Sequence, residues 1–153
     1  MPGMRKLLAV CLCLALAACA TFAPRRYERA TEQIIALVNS GRAAELAQLS
    51  RTPFLLDGEL LLLGSDVAAF WHDVSKAGFK IDPSASVTAV PVDSRTFARF
   101  ASTMEVKTFF ESHVSTKGSL VVLDAGKTRI LLLLERGKGG RTVIVGFKGP
   151  DAV

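Results

Sequence analysis

Apolar residues recur at the three-and-four spacing of a helix over Tyr27–Asn39, where Tyr27, Ala30, Ile34, Leu37 and Val38 fall on one stripe. The spacing predicts a helix with a single buried face. Asn39-Ser40-Gly41 stops it, Gly41 being suited to the left-handed position after a helix. A shorter helix is predicted over Arg42–Leu49, with Ala43, Leu46 and Leu49 inward, and Pro53 closes the helical region. The pattern then changes. Phe54-Leu55-Leu56 and Leu60-Leu61-Leu62-Leu63 flank Asp57-Gly58, a pair that favours the positive φ angles of a type I′ turn, so the stretch reads as a β-hairpin. Each arm is too short to cross a bilayer, and Asp57 and Glu59 interrupt the run. Arms apolar on both faces predict a strand pair covered on both sides.

Gly64 ends the hairpin, and Ser65 is the expected N-cap of a third helix over Asp66–Ala77 with Val67, Phe70, Trp71 and Val74 as its buried stripe. Gly78 closes that helix. Ser86–Val92 alternates as a strand, with Pro91 marking an edge or a bulge. Arg95–Phe100 fits either strand or helix. Ser102-Thr103-Met104-Glu105 has the capping-box pattern and opens a helix to His113, with Val106, Phe109 and Phe110 inward. Three strands follow, Ser119–Leu123, Thr128–Glu135 and Arg141–Phe147, and the short turns between them make neighbours antiparallel. Helices first, then a hairpin, a helix and a closing meander place the chain in the α+β class, with N-terminal helices packed against a mainly antiparallel sheet.

The first residues add what periodicity cannot. Arg5 and Lys6 precede a short apolar run, Leu7–Ala17, too short to span a hydrocarbon core of roughly 30 Å and therefore read as an export signal. Its end, Leu16-Ala17-Ala18-Cys19, resembles a bacterial lipobox, in which small residues admit the lipoprotein signal peptidase and the cysteine carries the lipid. The resemblance implies a signal peptide over residues 1–18, lipidation of Cys19 and a tether over residues 19–26. It leaves 153 minus 18, or 135, residues, enough for one domain. An ordinary signal peptide with a chance cysteine is the alternative. Ala20, in place of an Asp, favours the outer membrane of a two-membrane host, so the expected location is that membrane's periplasmic face. At roughly 3.3 Å per residue the tether reaches about 20–25 Å, which keeps Arg25 and Arg26 near the headgroups.

Charge and cysteines follow from that reading. Cys11 and Cys13 leave with the signal and Cys19 is acylated, so neither a disulfide framework nor a thiol for metal or catalysis is expected. The chain carries 19 basic and 14 acidic residues, net +5; without Arg5 and Lys6 the balance is 17 minus 14, or +3. The basic residues are scattered rather than striped. With export, this argues against nucleic acid and for a mild attraction to anionic headgroups.

The order of elements resembles the NTF2-like superfamily, which includes the SnoaL-like domains. "FLLDGELLLLGSDVAAFW" is similar to that family's strand, turn, strand, glycine and helix ending in an aromatic pair, and "ILLLLERGKGGRTVIVGFKG" to its last hairpin. The resemblance covers residues 27–149 and leaves 150–153 as a tail. The helix at Met104–His113 departs from it, since the family usually has strands there. It implies an NTF2-like cone, a curved sheet wrapped around helices with a pocket inside. Members include isomerases, dehydratases, cyclases and non-catalytic binding or assembly domains, so the fold does not choose a function.

Candidate chemistry is sparse. Some ketosteroid isomerase-like members place a donor tyrosine on the first helix, where Tyr27 stands here; the same residue also serves as an apolar staple at the helix start. Asp57 is a candidate base or simply a turn residue. His72 follows Trp71 and borders a pocket or lies on the surface. His113 ends a helix, where a cation is favoured. Phe54, Phe70, Trp71, Phe109 and Phe110 are core residues or pocket lining. Two distant histidines make no metal motif, and "GKGGR" lacks Walker spacing, so no metal or cofactor is expected. The expectation is a non-catalytic, lipid-anchored domain that binds a small apolar ligand or a protein partner. The alternatives are a SnoaL-like isomerase or dehydratase using Tyr27 with His72 or Asp57, and an assembly module forming a homodimer through the open sheet.

Overall fold

Alternation along the strands divides the apolar residues between two cores, one on each face of a single sheet. The structure, a computed structural model, describes residues 22–152, so the signal segment and Cys19 lie outside the described residues. In chain order these form α1 (Phe22–Asn39), α2 (Ala43–Leu49), β1 (Ser50–Leu56), β2 (Glu59–Leu61), α3 (Gly64–Lys76), β3 (Ser86–Pro91), α4 (Met104–His113), β4 (Ser119–Asp124), β5 (Thr128–Arg136) and β6 (Thr142–Ala152). The six strands are ordered β2-β1-β6-β5-β4-β3. Every neighbouring pair is antiparallel except β1 and β6, which run parallel. The class is α+β with a mixed sheet.

β5 shows the division most clearly. Ile130, Leu132 and Leu134 point into the core that holds Ile34, Val38, Leu46, Phe54 and Trp71 from the first half of the chain. Leu131 and Leu133 point the other way, into the core built with Phe100, Val106, Phe109 and Phe110. A strand covered on both faces must be apolar at every position, which is why this one reads as an unbroken leucine run. α1, α2 and α3 thus lie on one face and α4 on the other.

Several expected boundaries shift for identifiable reasons. The Asp57-Gly58 turn forms, with φ of 56° and 149°, but the second arm stops at Leu61. Phe54 pairs with Leu61, so the next pair would set Leu62 opposite Pro53, which has no N–H to donate. Leu62 and Leu63 are consequently 66% and 61% exposed rather than covered. Because the strand ends early, α3 begins at Gly64, and Ser65 falls inside the first turn instead of capping it; its hydroxyl meets the Asp66 carboxylate at 3.4 Å. The α4 cap is Thr103, whose hydroxyl accepts from the Val106 N–H at 3.3 Å, one residue later than the Ser102 of the expected capping box. The ambiguous Arg95–Phe100 stretch holds a 3-10 turn at Thr96–Arg99. α1 starts within the stretch expected to be tether, and β6 runs on through the stretch set apart as a tail, pairing Ala152 with Thr128. Pro91 stands in β3, which is an edge strand as that residue predicts.

Polar side chains tie these layers together. Asn39, at the end of α1, both donates to the Ile81 carbonyl and accepts from its N–H, each at 2.8 Å. Trp71 donates its indole N–H to Ser50 at 2.9 Å, and Ser50 in turn donates to the Leu46 carbonyl, joining α3, β1 and α2. On the opposite face the Glu135 carboxylate, 3% exposed, accepts from Arg51 at 2.6 Å and from the Ser115 N–H, while Arg51 also donates to the His113 carbonyl. That network fixes the exit of α4 to β1 and β5.

Candidate functional site

Three elements meet at one end of the sheet and leave a cavity of about 610 Å³ between them. The β1–β2 turn supplies Leu56, Asp57 and Leu61, α3 supplies Asp66, Phe70, Asp73 and Val74, and β6 supplies Phe147. Helical spacing explains the second group: positions 66, 70, 73 and 77 lie on one stripe beside the Val67–Trp71 stripe that packs into the core. Phe79, just past the helix, adds a wall shared with a smaller recess of about 310 Å³.

Phe147 is the hub of the apolar floor. Its ring lies 5.5 Å from Phe70, 5.7 Å from Trp71 and 6.4 Å from Phe79, between centroids. Phe70 and Trp71 are 4.7 Å apart. These tilted and edge-on arrangements suit the aromatic quadrupole. Asp57 holds the rim in place: its N–H donates to the Phe147 carbonyl at 2.9 Å, and its carboxylate accepts from the Gly149 N–H at 2.8 Å. The turn aspartate therefore locks the hairpin to the end of β6.

The expected site residues separate widely. Phe70 and Asp57 line the cavity. Phe54 and Trp71 are fully buried directly behind it. Phe109 and Phe110 belong to the core on the opposite side of the sheet, so they are not part of its lining; they project from α4 onto the face that carries Leu131 and Leu133. His72 is exposed and does not line the cavity, and His113 is exposed with its ring stacked 5.9 Å from Phe109. Tyr27 is 7% exposed in the first core, and its hydroxyl donates to the Lys117 carbonyl at 2.9 Å.

Tyr27 and Asp57 do not share a site. Lys117 precedes Ser119, which pairs with Leu134, whereas Asp57 holds Gly149, which abuts Arg129 and Ile130. Leu134 and Ile130 are four residues, about 13 Å, apart along β5, so the backbone groups that hold Tyr27 and Asp57 sit toward opposite ends of that strand. This exceeds what a hydrogen bond and one bridging water span, and the expected Tyr27–Asp57 acid–base pair is set aside. Sequence reasoning missed Phe147, Phe79, Asp66 and Asp73. Only the two aspartates left a signal, since they sit seven residues apart on one helical face.

The rim is polar and open to water. Asp57, Asp66 and Asp73 are all exposed, and among the described residues no ion pair engages them. They do not converge closely enough to hold one metal ion. The arrangement is an apolar trough with a carboxylate edge. Comparison with protein families, curated proteins and solved structures yields no match, so the reading of this site rests on its own residues.

Proposed function

We propose that the protein is an envelope lipoprotein, anchored through Cys19 at the periplasmic face of the outer membrane, whose NTF2-like domain binds a small apolar ligand without transforming it. The observation that carries the reading is the cavity of about 610 Å³ floored by Phe70, Phe147 and Leu56. Its size falls within the range of small-molecule sites, and its aromatic floor is already packed in place. Support for the cone-like family comes from the N-terminal helices on one sheet face and from the register shifts in β5–β6 pairing, which bend strands. α4 remains the departure. It fills the face through which an assembly module would dimerise, so the geometry favours ligand binding over that alternative.

The test is a native mass spectrum of the full chain purified from its membrane. A small molecule that stays through gentle ionisation and leaves on denaturation is the expected result, and it should be lost when Ala69, an α3 residue of the lining, is enlarged by Ala69→Trp to fill the cavity. A ligand retained by that variant would place the binding elsewhere.

A further inference from the structure

The cavity is asymmetric in charge, and this narrows its ligand. Three carboxylates, Asp57, Asp66 and Asp73, line it, and no Lys, Arg or His does. That is unexpected in a chain whose basic residues exceed its acidic ones by 19 to 14. Of the cations adjacent to lining residues, Lys80 donates to the Asn39 carbonyl, Lys148 donates to the Arg99 and Phe100 carbonyls and pairs with Asp151, and Lys76 is exposed at the end of α3 outside the lining. The floor has no charge at all. From the proposed binding role, on which this step rests, we infer that the ligand is a cationic amphiphile: an apolar body on Phe70, Phe147 and Phe79, with a protonated amine at the aspartate edge.

Two features support that chemistry. An anionic ligand, such as a fatty acid, would set its head against three like charges with no counter-charge in the lining. Among the described residues the carboxylates form no cluster of three that could hold a metal ion, which turns the edge toward a ligand that carries its own single charge.

Three probes with one chain length separate the possibilities: octylamine, octanoate and octanol. Binding is measured calorimetrically on the full chain in zwitterionic nanodiscs, with empty nanodiscs as the blank. Quenching or shift of the fluorescence of Trp71, the only tryptophan, gives a second readout because its ring touches Phe70 and Phe147. Octylamine should bind about tenfold more tightly than octanoate, as three solvent-screened charge pairs together would give. The preference should shrink at high salt. It should fall below twofold in the combined Asp57→Asn, Asp66→Asn, Asp73→Asn variant, with octanol unchanged; the side-chain amide introduced by Asp57→Asn keeps an acceptor for the Gly149 N–H, and asparagine tolerates the positive φ of that turn. Octanoate binding as tightly as octylamine would overturn the cationic ligand and leave an apolar site standing. Failure of all three probes to bind the folded protein would overturn both the ligand class and the proposed function.

Discussion

Asp93 does two jobs with one carboxylate: it accepts from the Arg95 N–H at 2.9 Å and from the Thr96 hydroxyl at 2.9 Å, which shapes the turn before α4. The Arg95 N–H, followed by the Thr96 hydroxyl, holds its carboxyl below the usual carboxylate range. Asp82 is lowered by the Ser84 hydroxyl and then the Ser84 N–H, and Asp124 by the Arg129 side chain and then the Gly126 N–H. A depressed folded value means the unfolded chain takes up these protons first as pH falls. The stabilisation is therefore complete above about pH 3.9, the unfolded aspartate value, and disappears as pH drops through the lower folded values. Replacing all three by Asn keeps an acceptor in each turn and removes the charge. Urea midpoints measured from neutral pH downward should fall more shallowly below about pH 4 in that variant than in the wild type. Parallel acid profiles would show that these turns gain nothing from ionisation. Of the three, only the turn at Asp124-Ala125-Gly126 was anticipated from the sequence; the Asp82 and Asp93 turns were not, although a serine or threonine two or three residues on marks each, and the Arg129 contact depends on strand register.

At the scale of elements, α4 shows where reading the sequence succeeds and where it stops. Its start, length and inward residues Val106, Phe109 and Phe110 follow from helical spacing, and all three are buried. The face it covers does not follow from spacing, because periodicity says which side of a helix is apolar and not what it meets. The same limit hid the parallel β1–β6 pairing, a contact between strands distant in the chain that no local pattern encodes. It also left Phe109 and Phe110 open between core and pocket, which the structure settles as core, although the hairpin that shapes the pocket was plain from Asp57-Gly58. If α4 is a structural cover, Phe109→Ala should cost about 3–5 kcal/mol, by loss of a fully buried ring. Thr103→Ala should cost about 1 kcal/mol by loss of the cap, and Thr103→Ser much less. Denaturant unfolding measures both. A Phe109→Ala cost no larger than that of the cap variant would mean α4 is loosely docked and that the sheet face is open to a partner.

For the whole molecule, the start of α1 and the cavity lie at opposite ends. Phe22, where α1 begins, follows closely on Cys19 in the chain. α1 is 18 residues long, so it runs about 27 Å, and its final residue Asn39 clamps Ile81 beside the Phe79 wall. No described helix is long and apolar enough to cross a membrane. With the proposed anchor at Cys19, the site would face away from the bilayer holding the protein, and the anchor would set where the site works without shaping it. Cys19→Ser tests the two parts of that statement together. It should abolish incorporation of labelled fatty acid and leave the unprocessed chain, because the peptidase acts on the lipidated cysteine. Octylamine affinity should stay within about twofold of the wild type, since the cavity lies by the Asn39 end of α1 and the proposed anchor precedes its other end. Normal processing of the variant would remove the lipoprotein reading. Loss of the lipid accompanied by a large fall in affinity would instead show that the bilayer itself completes the site.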